Sequence, residues 1–553
     1  MVVEDIESLL LFDTNSLEIN DISDDLLGKL DSFILQNQNQ IVSEVFNIYK
    51  KFVSMKQNAP EGMKNELFSA MRNFIKEKFS KNELVDALFL SRFLIVKSKL
   101  IASDYSIAAE IFTKLGNNDL GIDFIRLYEK HETNLPLKYL TLGNFYNLFV
   151  NDYKMAIKYY EAYLKIDETK SVIYTILGSL YAKAFGDFSL KDQIYYFEKA
   201  YKLKPKDRLV LHSLAFGYEK LGNRQKTDKF YRELLAANPT DIDYYNYGGF
   251  LISCGDFKNG HKYFTHRFNI DDTNLKYPLE SDIQHKWDLA SDISQKTLLV
   301  YYEQGFGDTF MYCRFVPFLT KLAKKVIFVV QDNLVELLKF SEIFKNIEII
   351  SEKNFENVEY DVHMALMDTP LVFGVDINTI PYTEGYLTVP DKFVSQYAEK
   401  YIQSDGKLKI GISYHGNKEA NYNGRDIDFG KFSQIFNIEN VQFYSFSLEK
   451  ENDKRVIYLG ETFKSFTDTA CALKNMDMVI STDNVILNLA GTMGIKTYGL
   501  FNKYPNFRWF KLEGDNVGWY KSVIPLQAEE NNYWSDVFDK LTCYLSCGEK
   551  NLK

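Results

Sequence analysis

A period near 34 residues runs through the middle of the chain and limits its fold more than any other feature. Pro205 and Pro239 each close a run with an aromatic and a small or apolar residue at fixed distances: Phe197 and Ala200 before the first, Tyr231 and Leu234 before the second. Gly178 and Tyr181 recur as Ala215 and Tyr218, 37 residues later, while Gly143 and Tyr146 stand 35 residues earlier and Gly249 follows Ala215 by 34. Repeats of this length predict pairs of antiparallel helices stacked side by side. Small residues let the paired helices approach, and aromatics fill the space between pairs. The array is expected over 136–270. Residues 1–135 carry helical periodicity without a clean repeat (Leu26, Leu27, Leu30, Phe33, Ile34; later Ala108, Ala109, Phe112), which suggests degenerate repeats or a cap.

Composition narrows the class. With 46% apolar and 25% charged residues, the chain is a folded protein of two or three domains. A net charge of −10 argues against a general nucleic-acid binder. The five cysteines show no CxxC spacing, so no zinc site or disulfide framework is expected, and a reduced compartment fits. The first residues lack a basic segment leading into an apolar one, and no apolar run is long enough to span a bilayer. The expected location is therefore cytoplasmic, with no membrane span. Oligomeric state is left open.

From Lys296 the pattern changes to short apolar runs alternating with helical segments. Thr297–Tyr302, Val326–Val330, Ile347–Ile350 and Tyr360–Leu366 are expected strands of a parallel, doubly wound unit over 290–400. Leu408–Ser413, Val441–Phe446, Val456–Leu459, Met478–Ser481 and Thr497–Phe501 predict a second such unit over 405–553, closed by a helix near 533–547. Two Rossmann-like units enclose a cleft, with ligands at the carboxyl ends of the strands.

Four segments could carry chemistry there. Glu303-Gln-Gly-Phe-Gly-Asp308 follows a strand and opens a helix. Gly305 and Gly307 would let the backbone approach a ligand, and Asp308 would lie in the first helical turn, as a cap or as something more. Thr482, Asp483 and Asn484 stand at a second strand-to-helix junction, suited to polyols or phosphate and equally to capping. The loop Tyr414–Asp426 holds His415, Asn417, Lys418 and Arg425, whose cations could neutralise a diphosphate. His363 at a strand end could act as a base or be a core histidine.

Taken in order, these segments resemble one family. Lys286-Trp-Asp288, Thr297 to Pro317, Tyr360-Asp-Val-His363, Ile412-Ser-Tyr-His-Gly-Asn417, Tyr444-Ser-Phe-Ser-Leu-Glu449, Ile480 to Gly494 and Phe507-Arg-Trp509 look like the motifs of bacterial tetratricopeptide-repeat (TPR) glycosyltransferases. His261 to Phe268 looks like that family's last repeat helix. The family is related to the heptosyltransferases, is O-GlcNAc-transferase-like, and has the two-domain GT-B fold. The resemblance covers about 136–525 and implies a fold class of α + α/β: a TPR superhelix, then an acceptor-side and a nucleotide-sugar-side Rossmann-like unit. It implies Asp308, with His363 second, as the base. It implies a donor site among Gly305, Gly307, His415, Asn417, Lys418, Arg425, Ser447, Thr482, Asp483, Asn484 and Asn488, with no metal and no cofactor beyond the nucleotide sugar (UDP-GlcNAc as first guess). The family usually has histidine where this chain has Asn488, and a longer basic run around Arg425, which leaves the donor open.

The resulting expectation is transfer of a sugar to Ser or Thr of a protein such as a flagellin or adhesin. The repeats would hold the acceptor in a groove rich in Tyr and Asn (Asn144, Tyr146, Asn147, Tyr245, Asn246, Tyr247), with Tyr146 favoured as core. Two alternatives stand beside it: a non-catalytic adaptor with a decayed transferase unit, and a transferase acting on a glycan or lipid.

Overall fold

A period of 34 residues leaves room for two helices of about 13 residues and two short turns, since each helical residue advances 1.5 Å and a pair must return on itself. The computed structural model has this form over the repeats. It describes residues 22–547 apart from 59, 98–99, 271–278, 280–281, 404, 417–424, 511–513 and 531–532. The chain divides into two compact units, Met1–Gly217 and Tyr218–Lys553.

The described part of the first unit is helical. Helices Asp24–Gln36, Ser43–Asn58, Glu61–Ser80 and Leu84–Lys97 precede the pairs Ala102–Lys114 with Asn118–His131, Leu135–Phe145 with Tyr153–Leu164, and Ser171–Phe185 with Leu190–Leu203. Asn117, Asn134 and Asp152 start three of them, each side chain accepting a hydrogen bond from a backbone N–H in the first turn. A Cβ on Gly178 would lie 2.8 Å from the Phe197 ring, so the small residue and the aromatic of the repeat are two halves of one contact. The uneven spacings also have causes. A π turn, Tyr146–Val150, adds a residue where the spacing is 35, and a 3₁₀ turn, Gly186–Ser189, lengthens the connection where it is 37. One core runs from Ile22 to Leu180, so residue 135 does not separate an N-terminal region from the repeats.

The expected Tyr and Asn groove is largely used internally. Tyr146 and Tyr247 are buried, the Tyr160 hydroxyl donates to Asn144 Oδ1 at 2.6 Å, and Tyr245 packs on Phe264 and Phe507.

The second unit contains the helices Arg224–Ala237, Asp241–Ser253 and Phe257–Phe264 and both sheets. The sequence spacing put the small residue of the last pair at Gly249. In the structure the close backbone approach belongs to Gly248, against Gly260 and Phe264, while Gly249 receives the Phe507 ring. Ile252, Phe257 and Phe264 share a core with the first sheet and with Trp519. The repeats therefore do not end as a separate body at 270; their last pair is built into the α/β region.

Strands β1 (Thr297–Tyr301), β2 (Lys325–Val330), β3 (Glu348–Ser351) and β4 (Val362–Ala365) form a parallel sheet in the order β3-β2-β1-β4. Strands β5 (Leu408–Ser413), β6 (Val441–Ser445), β7 (Val456–Tyr458), β8 (Met478–Thr482), β9 (Thr497–Phe501) and β10 (Val523–Gln527) form a second parallel sheet, β10-β9-β8-β5-β6-β7. β10 was not read from the sequence: Pro525 interrupts its pattern, and as an edge strand it tolerates the missing N–H. The second order is that of a doubly wound dinucleotide fold, with its reversal between β5 and β8; the first reverses between β1 and β4. The helix Ser535–Cys547 packs against the second sheet through Val537, Phe538 and Leu541.

One repeat contact makes a testable pH dependence. Glu219 is donated a hydrogen bond by the Tyr231 hydroxyl at 3.0 Å, and burial pushes its carboxyl up to about 7. Unfolded, it ionises near 4.5. Between these values the folded state holds more protons, so this group's contribution to stability is full below about 4.5 and falls as pH rises through about 7. The expected result is a melting temperature that drops across this window, with a shallower drop in Glu219→Gln. Equal slopes in the two proteins would remove the assignment.

Candidate functional site

The carboxyl ends of the two sheets face each other through the helices that follow them. β1 runs into Glu303–Gly305 and the helix Phe306–Tyr312; β8 runs into Asp483, Asn484 and the helix Val485–Thr492. The helices touch at Gly307, where a Cβ would lie 3.1 Å from Asn488 Nδ2. Arg314, fully buried, secures this arrangement with bonds to the carbonyls of Trp519 at 2.8 Å and Pro381 at 3.1 Å.

Asp308 does two things. It accepts a hydrogen bond from Gly305 N at 3.2 Å, the capping role that its position suggested. It also pairs with Arg508 from the loop after β9, with Oδ1 2.5 Å from Nε. Burial pushes the Asp308 carboxyl above the usual carboxylate range, against the pull of the Arg508 charge. Arg508 further donates to Asn506 Oδ1 at 2.8 Å and to Gln304 Oε1. Gln304, with φ of 62°, is the left-handed residue of the loop. The left-handed position of this loop thus falls to a glutamine and to neither Gly305 nor Gly307, and its amide oxygen meets Arg508. Gly305 has an ordinary backbone and no close neighbour.

Beside this pair opens a small solvent-connected recess, lined by Arg425, Asp483, Phe501, Asn502, Tyr504, Pro505 and Asn506. The Arg425 guanidinium lies over Gly416. Burial raises the Asp483 carboxyl, opposed by a hydrogen bond from Trp509 and by the charges of Arg425 and Arg508. Asp308, Arg508, Asp483 and Arg425 thus form a cluster of two cations and two anions at the facing strand ends.

The other expected site residues divide between neighbours and framework. His415 Nε2 meets Ser447 Oγ at 2.9 Å, joining the ends of β5 and β6. Thr482 is fully buried and accepts from Asn484 Nδ2 at 3.1 Å. Asn484 caps its helix through Ile486 N at 2.8 Å and donates to Ser413 Oγ at 2.9 Å, tying β8 to β5. Asn488 is spent between Asn484 O at 3.1 Å and the Tyr520 hydroxyl at 3.0 Å. The structure therefore uses Thr482, Asn484 and Asn488 to hold the framework, since the polar groups expected to face a ligand already satisfy one another. His363 is also placed elsewhere. It is buried, with Nε2 2.7 Å from the carbonyl of Asp282 and its ring beside Tyr301 and Tyr360, and burial holds its imidazole below the ordinary value. It alternates with Met364, which lies in the core containing the helix Phe306–Tyr312, so its side chain leaves the other face of the sheet. Asn417 and Lys418 lie outside the described residues.

Sequence reasoning missed Arg508 and the Asn502–Asn506 wall of the recess. The motif Phe507-Arg-Trp509 was visible, but a loop arginine shows its partner only in three dimensions. It also missed a buried ion triad. Arg267, after the last repeat helix, bonds Glu303 twice, Nε to Oε2 at 2.8 Å and Nη2 to Oε1 at 2.7 Å, and reaches Asp368 at 2.8 Å. Glu303 Oε1 also accepts from Met367 N at 2.9 Å. The triad joins the repeat end to the carboxyl ends of β1 and β4.

No family model matches the chain, and no curated protein matches it. Solved structures similar to parts of it include MamA from Desulfovibrio magneticus RS-1, at 17% identity over 31% of this chain and 93% of that one, TM-score 0.27. YrrB, described as a TPR protein with an unusual peptide-binding site, is 17% identical over 31% and 86%, TM-score 0.26. PilW, a type IV pilus biogenesis factor, is 12% identical over 41% and 100%, TM-score 0.31.

Proposed function

We propose that the protein is a glycosyltransferase of GT-B type that moves a sugar from a nucleotide-sugar donor to a hydroxyl of a protein acceptor. The observation that carries this reading is the Asp308–Arg508 pair at the facing carboxyl ends of two parallel sheets, with the Arg425–Asp483 recess beside it. Ligands of doubly wound sheets bind at such ends, at the point where strand order reverses. In this reading the donor lies against the second sheet. Arg425 and Arg508 offset the charge of the diphosphate leaving group, and the amides of Asn502 and Asn506 meet its polar atoms. Asp483 accepts from hydroxyls rather than facing phosphate, since two anions would repel. Asp308, on the first sheet, takes the proton of the acceptor hydroxyl as its oxygen attacks the anomeric carbon, and the diphosphate leaves with the bonding pair. The helical repeats supply a surface for a polypeptide acceptor. Serine or threonine of an exported surface protein is the acceptor that the sequence resemblance suggests.

Calorimetric titration with UDP and GDP tests the donor side. Arg425→Ala should weaken binding about tenfold or more, the effect of losing a charged hydrogen bond to phosphate. Affinity equal to the parent's would place Arg425 outside the site. Activity should survive chelation of divalent ions; an absolute metal requirement would contradict the reading.

A further inference from the structure

We infer that Arg508 is shared between Asp308 and the phosphate of the donor, so that the base is clamped in the empty site and released only when an anion occupies the recess. This deepens the glycosyltransferase reading and rests on it.

The geometry supports a guanidinium that can change partners while everything around it stays fixed. Its backbone is held on both sides: Arg508 N donates to Asn506 Oδ1 at 3.1 Å, and its carbonyl accepts from Trp519 Nε1 at 2.7 Å. The side chain is 14% exposed and lies next to Asn506, which lines the recess. Two of its contacts, to Asn506 and Gln304, are to neutral amides and cost little to exchange. Its closest charged contact among the described residues is Asp308, with Oδ1 2.5 Å from Nε. A phosphate presents more charge and several acceptor oxygens to the same donors, so it competes well for the guanidinium. Asp308 keeps its own anchor when Arg508 leaves, because Gly305 N still holds its other oxygen at 3.2 Å. Two further polar groups near the pair are buried without a hydrogen-bond partner among the described residues, Gln304 Nε2 and the Tyr312 hydroxyl, and can follow a rearranging ligand.

The chemical consequence follows from charge. A carboxylate that is only 16% exposed and loses its counter-cation holds a proton more strongly. Asp308 is thus a poor base while clamped and a better one once phosphate has drawn Arg508 away. Donor would then bind before the acceptor hydroxyl gives up its proton.

The test is proton linkage. Inorganic pyrophosphate and UDP are titrated into the full chain near pH 7 in two buffers of different ionisation enthalpy. The expected result is uptake of only a fraction of a proton on binding, larger in the parent than in Asp308→Asn, which leaves part of the Asp308 population deprotonated and able to act as base. In Arg508→Gln, binding should weaken about tenfold or more and the uptake linked to Asp308 should vanish, while Arg508→Lys should keep it in part. Uptake equal in the parent and Asp308→Asn, with binding intact, would overturn the shared-arginine proposal and leave the donor site standing. No binding of UDP, GDP or pyrophosphate by the folded parent would overturn the donor reading itself.

Discussion

Arg267→Ala is expected to destabilise the second unit by about 3–5 kcal/mol, the cost of removing one partner from a buried charge network. Arg267 and Glu303 have fully buried side chains and Asp368 is 4% exposed, so the variant leaves two carboxylates facing each other out of water. The loss is readable in isolation. All four tryptophans, Trp287, Trp509, Trp519 and Trp534, lie in the second unit, so urea unfolding followed by tryptophan fluorescence reports on it. The triple variant Arg267→Met, Glu303→Gln, Asp368→Asn should recover much of the loss, because it removes the charges together. Parental stability in Arg267→Ala would mean that the triad is not a structural tie.

Asp308→Asn should lower the transfer rate by about 10²–10⁴-fold while leaving the fold intact, the range expected for loss of a positioned base. Asparagine keeps the side-chain size and can still accept the bond from Gly305 N, so the helix start should survive. The same change removes the charge that holds Arg508, so nucleotide affinity should not fall. A rate near the parent's would take Asp308 out of this role.

The repeat fold was legible because it is written locally. Small and aromatic residues at fixed spacing could only be two sides of a helix pair, and Gly178 against Phe197 bears this out. The β1 to β9 strands were legible as short apolar runs between turn residues. What the sequence hid was which side of an element each polar residue takes. Thr482, Asn484 and Asn488 stand where a ligand-binding turn would have them, yet their partners are one another, Ser413 and Tyr520, residues far off in sequence. His363 differs from its neighbours only by strand alternation, and that sends it to the face away from the helix Phe306–Tyr312. The division between units was hidden for a related reason. The repeat period continues through Phe264, but the apolar faces of the last pair are covered by Phe507, Phe510 and Trp519 rather than by another repeat. A deletion that removes the repeats at 270 would therefore strip the α/β region of part of its core, because Ile252, Phe257 and Phe264 belong to it.

The central claim, that the facing strand ends form a sugar-transfer site, is tested most directly by a transfer assay. The full chain is incubated with a panel of nucleotide sugars labelled in the sugar, with chelator present and a protein fraction containing exported surface proteins as acceptor. The account predicts that one donor is consumed, that label enters protein and is released by β-elimination, and that Asp308→Asn slows this transfer by about 10²–10⁴-fold. Folded protein that neither hydrolyses nor transfers sugar from any donor would contradict it and leave the chain as a helical-repeat scaffold.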